Sequence, residues 1–224
     1  MHVGLIVGIG PAATDFYYRF LIAALAERGV PLELTMAHAD TPTLLRNQMA
    51  GNADAQVAIY LRLTARLQAA GAETVAVTSI GGHFCIDAFR QRSPLPVIDM
   101  LTEVDGAISR AGYRKVGVIG TRLVMDTGFY GAVRGVEVIA PADADRAAVH
   151  DAYIAMAASG RATAAQRETM FRVGRTMVEA EGAEAVMLGG TDLVLAFDAS
   201  QDCGFATVDC AAVHAAAIVK AAER

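Results

Sequence analysis

The feature that most limits the fold of this chain is that it repeats itself. Residues 71–79 (GAETVAVTS) align without a gap on residues 182–190 (GAEAVMLGG), and each block follows one long helix-like stretch and precedes another. Val3-Gly4-Leu5-Ile6 echoes Val116-Gly117-Val118-Ile119 at nearly the same offset, and both run through a Gly- and Thr-containing turn to a Phe-Tyr pair, Phe16-Tyr17 and Phe129-Tyr130. Segments rich in Ala, Gly and Val match by chance easily, but two matches that keep order and spacing favour a duplicated unit.

The unit is legible. Short β-branched runs at 3–8, 32–36, 74–78, 97–98, 116–119, 136–139, 185–188 and 205–208 alternate with Ala/Leu/Arg-rich helical stretches. Those stretches cover 12–28, 53–70, a segment from about His83, 101–111, 143–158, 164–180 and 210–223. Alternation of this kind predicts an α/β fold: two similar lobes, 1–98 plus 209–224 and 99–208, each a parallel sheet flanked by helices, with ligands at the carboxyl ends of the strands. The default site is a cleft between the lobes.

Composition narrows the class. Of 224 residues 54% are hydrophobic and 19% charged, which excludes a disordered chain. The most apolar runs are strand-length, far short of the roughly 20 residues of a bilayer crossing, and 3–9 has no basic leader, so neither a membrane nor a cleaved signal is expected. Nineteen basic against 24 acidic residues, net −5, argue against a nucleic-acid partner. Cys85, Cys203 and Cys210 are odd in number and lack metal-ligand spacing, which suits the reducing cytoplasm and predicts no metal.

The polar residues gather where strands end. Gly8-Ile9-Gly10-Pro11-Ala12-Ala13-Thr14 lacks the Lys of a phosphate loop and the third Gly of a dinucleotide fingerprint; it is either an anion cradle at a helix start or a tight turn. Thr78-Ser79-Ile80-Gly81-Gly82-His83-Phe84-Cys85 sets a hydroxyl pair and an imidazole at a strand-to-helix junction, whereas Cys85, between Phe84 and Ile86, reads better as a core residue than as a nucleophile. Gly189-Gly190-Thr191-Asp192 is its counterpart in the second repeat. Thr121, after Gly120, is a ligand hydroxyl or a helix cap, and Asp209 a partner for His214 or an N-cap. Residues 38–42, with Arg46 and Asn47, read as a polar flap or an ordinary Pro-containing loop.

Taken together these residues resemble the aspartate/glutamate racemase superfamily, with its hydantoin racemases, maleate isomerases and arylmalonate decarboxylases. The resemblance covers essentially the whole chain. It rests on 8–14 with Phe16-Tyr17, on Gly120-Thr121-Arg122 with Met125 and Phe129-Tyr130, on 182–192, and on Val208-Asp209 with His214. It implies two α/β lobes related by a pseudo-twofold, no cofactor, commonly a homodimer, and a small carboxylate or amino acid as substrate. The family's site motifs read Cys-Asn-Thr-x-His and Gly-Cys-Thr-Glu, with the two thiols flanking the substrate α-carbon. Here His83, Thr191 and Asp192 line up, but the thiol positions fall on Ser79 and Gly190. The decarboxylases keep one thiol and carry Gly at the other position; this chain has the Gly-like half without the Cys.

Two-thiol racemisation therefore does not carry over. The expectation is proton transfer at the carbon next to the carboxylate, with Ser79, His83 and Asp192 as catalytic groups and Cys85 as the rival. Gly10, Pro11, Thr121, Gly190, Thr191 and His214 would bind substrate, and Arg46, Arg161 or Arg167 would supply charge where Thr163 stands in place of a Lys found in some relatives. The alternatives are a decarboxylase or lyase of the same superfamily, or a binding protein that has lost the chemistry.

Overall fold

A computed structural model describes residues 1–8, 10–197 and 202–224; Ile9 of the first strand-to-helix turn lies outside the described residues. The chain divides into two compact units, Met1–Met100 with His214–Arg224, and Leu101–Val213. These limits lie two and five residues beyond those expected at 98 and 208, because each falls inside a helix rather than at a strand end.

The first unit runs β1 (Val3–Val7), α1 (Pro11–Glu27), β2 (Leu34–His38), α2 (Thr41–Met49), α3 (Ala53–Ala69), β3 (Thr74–Val77), a 3-10 turn (Ile80–Cys85), α4 (Ile86–Arg92) and β4 (Val97–Ile98). Its sheet is parallel, ordered β2-β1-β3-β4. Every residue of β1 is buried, as a strand covered on both faces requires, hence the unbroken apolar run VGLIV. Pro11 opens α1, where its missing N–H costs nothing, and Ala13, Tyr17, Leu21 and Leu25, spaced four apart, form the buried stripe. Each large side chain in that stripe contributes roughly 1.5–3 kcal/mol.

The second unit carries α5 (Met100–Ala111), β5 (Lys115–Gly120), α6 (Arg122–Asp126), β6 (Glu137–Ile139), α7 (Asp143–Ser159), α8 (Ala164–Glu179), β7 (Ala185–Gly189), a 3-10 turn (Thr191–Leu195), β8 (Thr207–Asp209) and α9 (Cys210–Ala222), whose later residues belong to the first unit. The sheet order, β6-β5-β7-β8, repeats that of the first. The repeat extends to register: Val3 pairs with Thr74, and Val116 with Ala185. Its core is rich in flexible methionines, Met156, Met170 and Met177, packed with Val149, Tyr153 and Phe171.

Two expectations are corrected. The helix from His83 is a 3-10 turn followed by α4, and 38–47 is no flap. Asp40 caps α2 through the Thr43 amide at 2.9 Å, Pro42 sits in its first turn, and Arg46 is exposed on its surface with Nη2 donating to the Thr43 hydroxyl. The five-residue α6 escaped the periodicity because it is too short to show one.

Candidate functional site

An open parallel sheet binds ligands where the strand order reverses. In the first unit that point lies between the carboxyl ends of β1 and β3, which bear Gly8, Gly10 and Ser79. The β1 end is more closed than an anion cradle would be. The Gly8 amide donates to the Thr14 hydroxyl at 3.2 Å, that hydroxyl donates to the Gly10 carbonyl, and the Gly8 carbonyl accepts from Thr41. Gly10, buried and extended, is the N-cap of α1, and Pro11 is exposed.

At the β3 end two imidazoles meet edge to face, His83 and His214, with ring centroids 6.1 Å apart. Nδ1 of His83 lies 2.7 Å from the Ser79 carbonyl, which can only accept, so Nδ1 carries the proton. Ser79 meets His83 through this carbonyl and not through the hydroxyl its sequence suggested. Nε2 of His83 is then a lone-pair acceptor, and among the described residues it is the buried side-chain nitrogen without a hydrogen-bond partner. Burial depresses the pKa of this imidazole, against opposing pulls from the Asp99 carboxylate and the Ser79 carbonyl, so the neutral ring is favoured.

His214 is placed otherwise than expected. Its Nε2–H donates to the Ile98 carbonyl at 2.9 Å and its Nδ1 accepts from the Tyr17 hydroxyl at 2.9 Å. Burial, then the proximity of His83, takes its pKa down to about 3. Asp209 is not its partner: the carboxylate caps α9, accepting from the Ala211 and Ala212 amides at 2.8 and 3.2 Å. His214 is thus a fully bonded neutral wall behind His83.

In the second unit the reversal lies between β5 and β7, whose ends bear Thr121 and Gly190. The Thr121 hydroxyl accepts from the Val124 amide at 3.4 Å, capping α6, and keeps its own proton to donate. A Cβ on Gly120 would strike the Gly189 carbonyl oxygen, so these adjoining strand ends must be bare. Gly190 occupies the place of Ser79: both are extended residues leading into 3-10 turns. Thr191 and Asp192 follow, both buried, and an Asp192 carboxylate oxygen accepts from the Tyr153 hydroxyl at 3.2 Å. Arg167 donates to the Ala196 and Leu195 carbonyls, at the end of the same turn, and Thr163 with Gln166 forms the capping box of α8.

Comparison with known proteins supplies the decisive match. The Asp/Glu/hydantoin racemase family model matches residues 6–218. The chain belongs to that family. A candidate Asp/Glu racemase from Yersinia pestis is 28% identical, with 100% of both chains covered and a TM-score of 0.86. An aspartate racemase homologue from Pyrococcus horikoshii is 26% identical over 100% of this chain and 99% of its own, TM-score 0.83. A glutamate racemase from Francisella tularensis, solved with D-glutamate, shares the fold at 13% identity, with 98% of this chain and 80% of its own covered and a TM-score of 0.70.

Within the racemase fold the structure brings Ser79, His83 and His214 together in one unit and sets Gly190, Thr191 and Asp192 in succession in the other, while Arg46 is exposed on α2. Sequence reasoning missed Tyr17, Asp99 and Tyr153 as parts of these clusters. In the sequence Tyr17 is only half of a repeated Phe-Tyr pair, and nothing local marks Tyr153, 39 residues from the carboxylate it touches. Among the described residues no three His, Cys, Asp or Glu side chains are grouped to hold a metal ion, and no helix is long and apolar enough to cross a membrane.

Proposed function

We propose that this racemase-family protein acts without a cofactor on a small carboxylate or amino acid, moving a proton at the carbon next to the carboxylate with the His83 imidazole as base. The observation that carries this reading is the buried Nε2 of His83, a lone pair without a donor among the described residues, on a ring whose other nitrogen is fixed by the Ser79 carbonyl. The thiols offer less. Burial pushes Cys85 up to about 12 and Cys210 well above the ordinary thiol range, so neither is a thiolate near neutrality. Carrying the family motifs onto Ser79 and Gly190 leaves both catalytic thiol positions without sulfur.

In this reading the α-proton passes to Nε2, its electron pair spreads into the carboxylate, and the amides and hydroxyl at Gly10 and Ser79, in the same unit, stabilise the developing charge. Of the second unit's strand ends, Thr121 and Thr191 are the candidate substrate hydroxyls, and Asp192 is the candidate acid or amine-binding group. The test is loss of the α-hydrogen signal in deuterated water across a panel of small carboxylates and amino acids, with no cofactor added. Exchange abolished in His83→Ala and retained in Cys85→Ser supports the proposal. Exchange that survives His83→Ala and Asp192→Asn but dies with Cys85→Ser overturns it. Release of carbon dioxide would identify a decarboxylase, and binding without turnover a carboxylate-binding protein.

A further inference from the structure

The bare backbone at Gly190 has a specific cause. Its φ of −159° is ordinary extended chain, so conformational freedom does not demand glycine there. Space does: a Cβ at this position would run into the Tyr153 ring, overlapping Cε2 and coming within 3.0 Å of Cζ. Tyr153 comes from α7, is 5% exposed, and reaches past Gly190 to place its hydroxyl on Asp192. The Asp192 backbone amide also acts on that phenol, favouring its charged form. Burial first, then the Asp192 carboxylate, hold the phenol proton on well beyond the usual tyrosine range.

We propose that Tyr153 is a positioning residue for Asp192: its ring takes the volume that a side chain at position 190 would fill, and its hydroxyl fixes the orientation and charge of the carboxylate two residues on. The inference deepens the proposed function, on which the catalytic use of Asp192 rests, and the ring and hydroxyl are testable without any substrate. The phenol and the position-190 side chain compete for one space, so a change at 190 requires a compensating change on α7.

Two measurements test this. In a thermal-unfolding cycle, Gly190→Ala lowers Tm by several degrees in the wild-type background and by much less in Tyr153→Ala, where the space is open. Equal losses in both backgrounds overturn the steric half. Tyr153→Phe keeps the ring and removes the donor, so the Asp192 carboxyl, followed by carbon-13 NMR of the labelled protein, titrates about one pH unit higher than in wild type. An unchanged Asp192 titration overturns the positioning role. If both shifts appear and no substrate exchanges its α-hydrogen, the proposed function fails while this pairing stands. If exchange is found, Tyr153→Phe moves its pH profile in step with Asp192, and a profile that stays put overturns the proposal.

Discussion

His214 offers the sharpest test at the level of single residues. Its folded-state pKa of about 3 lies below the ordinary imidazole value near 6.5, so between these limits the unfolded chain binds a proton that the folded one refuses. The stability due to this ring is full above pH 6.5 and is lost progressively, by about 1 kcal/mol per unit, as the pH drops toward 3. The groups around it are Tyr17, His83 and Asp99, and His83, also depressed, acts in the same direction. Urea unfolding at pH 6.5, 5.5 and 4.5 should therefore show a shallower decline in His214→Gln than in wild type; an identical slope would contradict the assignment. The thiols make a second test. With Cys85 and Cys210 buried and protonated, and Cys203 half-buried, a disulfide reagent near pH 8 should modify one thiol in the native protein and three after denaturation. Rapid native modification of Cys85 would reopen its candidacy as a nucleophile.

At the scale of elements, α8 tests what a strand-end or helix-start hydroxyl is for. Thr163 accepts from the Gln166 amide at 3.2 Å while the Gln166 side chain accepts from the Thr163 amide at 2.8 Å. Thr163→Ala should cost about 1 kcal/mol of stability by denaturant titration and leave ligand affinity unchanged; weakened binding without lost stability would make it a ligand group. This helix also shows what the sequence carries well. Long elements such as α1, α3 and α8 announce themselves by period and by local signals, Pro11, Asn52 and Thr163, all within a turn of the helix start. The same signals stood at Asp40 and Pro42, but the nine-residue α2 between polar ends offered too little apolar periodicity to outweigh a loop. The sites divided similarly. That Ser79, His83 and Asp192 lie where strands give way to turns is legible, because strand ends are legible. Their partners were not, because the Tyr17–His214 bond joins residues 197 apart and the Tyr153–Asp192 bond reaches between two helical turns of different segments.

For the molecule as a whole, one α/β unit is built twice in the racemase fold, with matching strand order and matching β1–β3 and β5–β7 register. Only one of the units is continuous. Leu101–Val213 is a single stretch, whereas Met1–Met100 is joined by His214–Arg224. The late segment binds firmly: His214 bonds to Tyr17 and Ile98, and Glu223 pairs with Arg28 at 2.7 Å. Deleting 214–224 should raise hydrogen exchange in β1 and α1 before it affects β5 and β7, and equal deprotection of both sheets would show that the units do not unfold separately. The discontinuity also sets an order on synthesis. A ribosome releases the first four strands long before the imidazole that completes their core, so the unit made first closes last, after the second has its whole sequence in hand. Until then Tyr17 and Ile98 wait for a partner made at the far end of the chain.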